Sequence, residues 1–546
     1  MTAEPRSRLR ESAGAHLYRA TTLALVATVL ALAGAPSALA QESRRFPVGD
    51  APFSIASGDF NRDGIRDLVT TNAGRLFEPP NDTVSVLIGR RDGSFQPERR
   101  FAVGDAPTAV AVGDFNEDRR PDLAVTNGGL SDGFPGSVSI LLGSGDGNFV
   151  KQPVDIQIED GTTAPYALAV GDLDNDRHQD LAVVTFFGES VSILDGTGRG
   201  VFSAPREFRT GSEEGSSSVA VADFDRDGRR DLAVTTGREP DPDGVAVLRN
   251  RGGGNFASPR FYPTGVASFS VAVGDFNRDG DADLAVANQK EGGPSDRSQT
   301  VTVLHGVRGA GFRRSRVYQV GAAPEHVAVG DLNADGVQDL VVSNNDGEEA
   351  PDPSDPFFER VPRDDVSVLF GRPDGTFRSQ VRIRTGDGPI QTVIADFDRN
   401  GLNDLAIALE GEDAVQVVYS RRNGRGRGGG IIVGTSGNDV IDCGSGDTIV
   451  DAGAGNDVIR CGPGDDQIDA GPGNDVVRGG AGNDRIFGGP GNDVLRGDGG
   501  SDDLFGNAGS DALNTSDGVA GNDSAHGGSG RDACSSDARD GRTSCR

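Results

Sequence analysis

One acidic loop recurs seven times along the chain at intervals of about fifty to sixty-five residues, and it dictates the fold. Its first copy reads Asp59-Phe60-Asn61-Arg62-Asp63-Gly64-Ile65-Arg66-Asp67-Leu68. The leading Asp returns at Asp114, Asp172, Asp223, Asp275, Asp331 and Asp396. An apolar alternating run precedes each loop and a second follows it. In the second unit, Thr108 to Val112 leads into the loop. Leu123 to Thr126 leaves it, Ser137 to Leu142 alternates as a third run, and Phe149 opens a fourth after a Gly-rich turn. Four short antiparallel strands per repeat make one blade, so the predicted architecture is an all-β seven-bladed propeller. The seventh unit lacks its fourth strand. The missing piece lies at the other end: Glu42 to Ala51 matches Glu98 to Ala106 with one insertion. The N-terminal strand is therefore expected to complete blade seven and close the ring, leaving no full sheet edge open.

Beyond Gly424 to Gly430, a Gly/Arg linker, the period drops to nine. Gly455-Asn456-Asp457-Val458-Ile459 recurs around Asp466, Asp475, Asp484 and Asp493. The series begins at Asp439, continues through Asp502 and Asp511, slips by three residues before Asp523 and resumes at Asp532. A Gly-rich turn plus a very short strand, repeated, predicts a parallel β-roll. The expected organisation is an export signal over 1–40, a propeller over 41–423, the linker over 424–430, a roll over 431–535 and a C-terminal tail over 536–546.

The loops have the chemistry of calcium sites. Calcium takes six to eight oxygens, and side chains at positions 1, 3, 5 and 9 of a tight loop converge on one point, with the carbonyl of position 7 (Ile65 in blade one) available as well. The candidate ligands are Asp59, Asn61, Asp63 and Asp67 in blade one. In blade two they are Asp114, Asn116, Asp118 and Asp122, and in blade three Asp172, Asp174, Asp176 and Asp180. Blade four has Asp223, Asp225, Asp227 and Asp231; blade five has Asp275, Asn277, Asp279 and Asp283. Blade six has Asp331, Asn333, Asp335 and Asp339, and blade seven Asp396, Asp398, Asn400 and Asp404. Blade four is the expected tightest site. Blade two is the expected weakest, because Arg119 stands where Gly is wanted; Arg177 does the same in blade three. The alternative is a set of Asx-turns needing no metal. In the roll, one Asp per nine residues repels its neighbours unless a cation intervenes. Calcium is therefore expected to couple binding to folding there, the alternative being a flexible tail.

The two regions resemble, respectively, the FG-GAP/VCBS repeats of integrin-α-like propellers and the hemolysin-type (RTX) calcium-binding nonapeptide repeats. The resemblance implies several calcium ions and, for the propeller, a ligand-binding or cell-adhesion role. RTX proteins typically leave the cell through an exporter that reads a C-terminal signal, whereas this chain starts with basic residues, an apolar stretch from Thr21 to Ala33 and Ser37-Ala38-Leu39-Ala40. That route and a toxin role are not carried over. The start reads as a signal peptide with a cut before Gln41 or, alternatively, as a membrane anchor; the first leaves no transmembrane span and a secreted, extracellular protein.

A net charge of −30 argues against nucleic acid or an anionic membrane as partner. The expected partner is an extracellular protein or polysaccharide. Cys443 and Cys461 lie one full coil apart and are in disulfide range, or are packed thiols; Cys534 and Cys545 can close the tail. No catalytic constellation is found, so a non-enzymatic protein is expected. His178, inside the blade-three loop, reads as solvent-facing, and scarce Tyr with no Trp leaves little for a stacking platform. The long connections between second and third strands (Asn72 to Asp82, Asn127 to Gly136, Gly237 to Gly244, Asn288 to Gln299, and Asn344 to Asp365 with Phe357 and Phe358) gather on one face. That face is either a binding surface or a set of tolerated solvent loops. A propeller enzyme acting on polysaccharide or phosphoester and a structural matrix component are the other readings.

Overall fold

The computed structural model describes residues 43–545 apart from 75–81, 129–135, 159–163, 187, 213–214, 237–243, 290–298, 310, 346–363, 379, 423–429 and 520–521. The export signal, Phe357, Phe358, most of the linker and the greater part of the long connections lie outside the described residues. What is described is nearly all β: a seven-bladed propeller followed by a parallel β-solenoid. One short 3-10 turn interrupts it at Glu410–Glu412.

Blade one shows the plan. Pro52–Gly58, Asp67–Asn72, Thr83–Leu87 and Arg99–Ala102 pair antiparallel in chain order, with Gly58 opposite Asp67 and Leu68 opposite Leu87. The second strand of every blade is buried along its whole length, from Asp67–Asn72 to Asp404–Leu409. This follows from its place: it has a strand on each side and a neighbouring blade on each face. Val, Ile, Leu and Ala therefore run almost without interruption through it. The core sits between blades. Phe60 and Val86 of blade one pack with Leu123, Leu141 and Phe149 of blade two, and Phe60 meets Phe149 edge to face at 5.4 Å. Blade two departs from the plan because its fourth strand is split: Phe149–Lys151 and Ile156–Gln157 both pair with Ser137–Gly143.

The ring closes as the matching segments imply. Ser43–Pro47 pairs antiparallel with Ala414–Val418, Phe46 opposite Val415. Blade seven thus takes strands from both ends of the propeller sequence, with Arg45 paired to Glu412 across the seam.

In the roll, two parallel sheets face each other. Val440, Val458, Val476 and Val494 stack in register at eighteen-residue steps. Where the repeat slips the step becomes twenty-one, from Ala512 to Ala533 and from Asp503 to Ser524. Ile441, Ile459, Val477 and Leu495 from one sheet meet Ile432, Val450, Ile468 and Ile486 from the other in one apolar core. Both disulfides form: Cys443 to Cys461, with Cα atoms 4.6 Å apart, and Cys534 to Cys545. Gly541–Thr543, which the sequence reading places in the tail, pairs in parallel with Ser524–His526 and continues the roll.

The two modules share a seam. Ser420–Arg422, the end of the propeller sequence, pairs in parallel with Ile431–Val433 of the first coil. Ile431, Val433 and Ile449 pack against Val366, Leu405 and Val418 of blades six and seven. Arg378 Nη1 donates to Asp451 Oδ1 at 2.9 Å and Asp469 Oδ2 at 3.0 Å. Among the described residues no helix is long and apolar enough to cross a membrane.

Candidate calcium sites in the loops and the roll

Each acidic loop is a tight turn that needs two left-handed residues. Position 6 is one of them: Gly64, Gly228, Gly280, Gly336 and Gly401 have φ between 77° and 85°, and Arg119 and Arg177 are held at 63° and 77°. Position 4 is the other, and it is never glycine; Arg62, Glu117, Asn175, Arg226, Arg278, Ala334 and Arg399 all have φ of 54° to 66°. The hydrogen bonds that hold blade one's turn are typical. The amides of Asp63 and Gly64 donate to the two oxygens of Asp59, and the Ile65 amide donates to Asp63 Oδ1.

One oxygen from each of Asp172, Asp174 and Asp180 lies within 4.8 Å of the others, and the same holds for Asp223, Asp225 and Asp231 and for Asp396, Asp398 and Asp404. Blades one, two, five and six carry Asn61, Asn116, Asn277 and Asn333 at position 3, so a carboxylate is replaced there by an amide oxygen. Asp114, Asp172 and Asp275 each keep Oδ1 buried with no hydrogen-bond partner. A buried carboxylate oxygen without a donor is costly unless a cation meets it, so these loops fit calcium.

Position 9 has a second job that the spacing does not reveal. Asp67 accepts the Phe60 amide on one oxygen and the Gly89 amide on the other, both at 2.7 Å. Asp122, Asp180, Asp231, Asp283, Asp339 and Asp404 repeat this bracket, tying the loop to the end of the third strand. Burial pushes Asp67, Asp122, Asp180 and Asp231 up to about 6, Asp404 to about 7 and Asp339 to about 8.

The roll makes the stronger case. Its nonapeptide aspartates form two ladders. Asp439 N donates to Asp457 Oδ1 at 2.8 Å, Asp457 N to Asp475 Oδ1 at 2.7 Å, and Asp475 N to Asp493 Oδ1 at 2.9 Å. The second ladder starts at Thr448, which stands where an Asp would, and runs through Asp466, Asp484 and Asp502. The other oxygen, Oδ2, of Asp457, Asp466, Asp475, Asp484, Asp493, Asp502, Asp511, Asp523 and Asp532 is buried without any partner. Burial pushes Asp466 up to about 8, Asp484 to about 7 and Asp475, Asp493 and Asp502 to about 6. Stacked, desolvated, unpaired carboxylate oxygens are the donor set a hard divalent cation takes.

His178 is partly exposed, with 32% of its side chain accessible, and its Nδ1 meets Glu117 Oε1 of the neighbouring blade's loop, which raises its pKa. His305 Nδ1 lies 3.0 Å from Asp283, and His526 stacks on Phe505. Tyr166 stands among Phe53, Phe186 and Phe269.

Comparison with known proteins agrees with both repeats. The RTX calcium-binding nonapeptide repeat family matches residues 426–459, 443–477, 462–495, 478–513 and 513–538. The FG-GAP-like repeat family matches 59–125, 172–234 and 231–286. Phosphatidylinositol-glycan-specific phospholipase D of Rattus norvegicus is 29% identical over 216 residues, 34% of this chain and 24% of the relative; that of Mus musculus is 29% identical over 210 residues with the same coverage. The chain therefore spans about a quarter of the length of these curated relatives. Among solved structures, BBS1N in complex with ARL6DN superposes with a TM-score of 0.44 at 15% identity, covering 68% of this chain and 95% of that one. An Agrocybe aegerita lectin recognising non-reducing terminal N-acetylglucosamine gives 0.40 at 17%, covering 62% and 79%.

Proposed function

We propose that this chain, which carries FG-GAP-like repeats in its N-terminal part and RTX calcium-binding repeats at its C-terminus, is a secreted, non-enzymatic ligand-binding or adhesion protein whose two modules are held by calcium. The observation that carries the calcium part is the row of orphaned Oδ2 atoms in the roll, with their counterparts Asp114, Asp172 and Asp275 in the propeller. Side chains at positions 1, 3, 5 and 9 hold the propeller ions, with the position-7 carbonyl available as well, blade four tightest and blade two weakest. Asp439 joins the ladder aspartates in the roll. When bound, the ion supplies charge neutralisation; the chain's own residues supply the cradle and keep water out. The ligand is an extracellular protein or polysaccharide, and the face with the long strand-two to strand-three connections receives it.

The test is retention of the intact mature chain on arrays of polysaccharides and extracellular proteins, in millimolar calcium and in chelator. Calcium-dependent retention on a defined ligand supports the reading; retention indifferent to calcium, or none, overturns it. The phospholipase D relatives favour a second reading, phosphoester hydrolysis. Release of phosphate-bearing product from a glycosylphosphatidylinositol substrate by the purified chain would support that reading instead.

A further inference from the structure

The first strands of the seven blades, with the residues leading into them, surround a cavity of about 190 Å³ on the propeller axis. It lies at the starts of those strands, so it opens on the face opposite the acidic loops. Three of its walls are aromatic and come from alternate blades. Tyr166 of blade three lies 5.5 Å from Phe53 of blade one and 6.0 Å from Phe269 of blade five, centroid to centroid, with Phe186 stacked behind it at 4.8 Å.

Blade six places two titratable residues at adjacent positions of this lining. Just below the rings, Ser54, Ser218, Ser270 and Gln391 each accept a backbone amide of the following blade at 3.0 to 3.2 Å, stitching the ring together. In blade six this position is His326, whose Nδ1 is buried without a partner and whose Nε2 faces Gln391 Nε2 at 3.4 Å. Burial drives the imidazole down to about 4, so it is neutral. Beside it, level with the rings, stands Glu325. Its Oε1 accepts Gln289 Nε2 at 2.7 Å, a neutral donor. Neither Lys nor Arg lines the cavity.

A carboxylate at an aromatic-walled cavity with no cation among its lining residues is the donor set that recognises an organic cation: ring faces attract the positive group and the carboxylate balances it. Size agrees, since a cavity of about 150 Å³ takes a benzene ring, so this one has room for a trimethylammonium head.

We propose that the channel mouth binds a small organic cation of the ammonium class, with Glu325 as its charge partner and Phe53, Tyr166 and Phe269 as its wall. The inference rests on the reading of this face as the binding face only for its location.

The experiment is calorimetry on the intact chain in millimolar calcium, with choline and with its neutral isostere 3,3-dimethylbutan-1-ol. Choline is expected to saturate a single site and the alcohol to bind at least about tenfold more weakly. Glu325→Gln keeps the shape and the Gln289 contact; it should weaken choline by about tenfold and leave the alcohol unchanged. No saturable choline binding by the natural chain, or equal binding of choline and alcohol, overturns the proposal. Should Glu325→Gln fail to fold, the choline-to-alcohol ratio on the natural chain still decides. Loss of the choline site with array binding retained refutes this pocket alone; choline binding without any array ligand refutes the wider reading of the face.

Discussion

Removing calcium should make the roll's stability fall as pH rises, the reverse of ordinary acid denaturation. The ladder carboxyls titrate near 3.8 when unfolded and, without an ion, are pushed to about 6 in Asp475, Asp493 and Asp502, about 7 in Asp484 and about 8 in Asp466. A folded-state pKa above the unfolded one means that protons favour the fold. That contribution is complete below about pH 4 and is lost between about pH 4 and pH 8. One pKa unit corresponds to about 1.4 kcal/mol, so a shift of about two units is worth about 3 kcal/mol, and about half of that once screening by water and neighbours is allowed for. Five such carboxyls give about 7 kcal/mol or more, comparable to the whole stability of a domain, about 5–15 kcal/mol. Hydrogen exchange of the intact chain in chelator, followed on peptides from 455 to 515, should show strong protection at pH 5 and little at pH 8 after correction for intrinsic exchange. Millimolar calcium should restore protection at pH 8. Protection in chelator that is flat or that rises with pH refutes the reasoning.

Four further outcomes are expected. Arg378→Met leaves Asp451 and Asp469 facing each other without their cation; it should loosen the junction by about 3–5 kcal/mol and split a single calorimetric transition into two. Replacing Cys443 and Cys461 by Ser removes a cross-link spanning eighteen residues. It should lower the roll's stability by about 3 kcal/mol and move its calcium midpoint to higher concentration. Arg119→Gly relieves a left-handed arginine at φ 63° and should raise stability by up to about 1 kcal/mol while tightening blade two in a calcium titration. Choline binding should strengthen between about pH 5.5 and 8.5, because burial holds Glu325 at about 7 against the Gln289 hydrogen bond, with Glu410 adding like charge and His326 neutral beside it; affinity that falls over that range counts against it.

Features that repeat in the chain were legible. The blade plan follows from seven copies of one loop, and ring closure follows from the match of Glu42 to Ala51 with Glu98 to Ala106. The two ladders follow from the nine-residue period, and the slip before Asp523 reappears as the twenty-one-residue register step. Features made by bringing blades together were not legible. Glu117 and His178 are sixty-one residues apart. Phe53, Tyr166 and Phe269 belong to three blades and meet only because the first strands converge on the axis. Arg378 finds Asp451 and Asp469 only once the roll docks on blade six. The left-handed residue at position 4 left no trace because Arg, Glu, Asn and Ala fill it, held there by the loop's hydrogen bonds rather than by their own preference.

The central claim is that calcium builds both modules, and counting ions tests it most directly. Equilibrium dialysis of the intact chain in millimolar calcium should find more ions bound per chain than the seven propeller loops can hold. A stoichiometry of seven or fewer would leave sites of at least one of the two arrays unfilled and contradict the account.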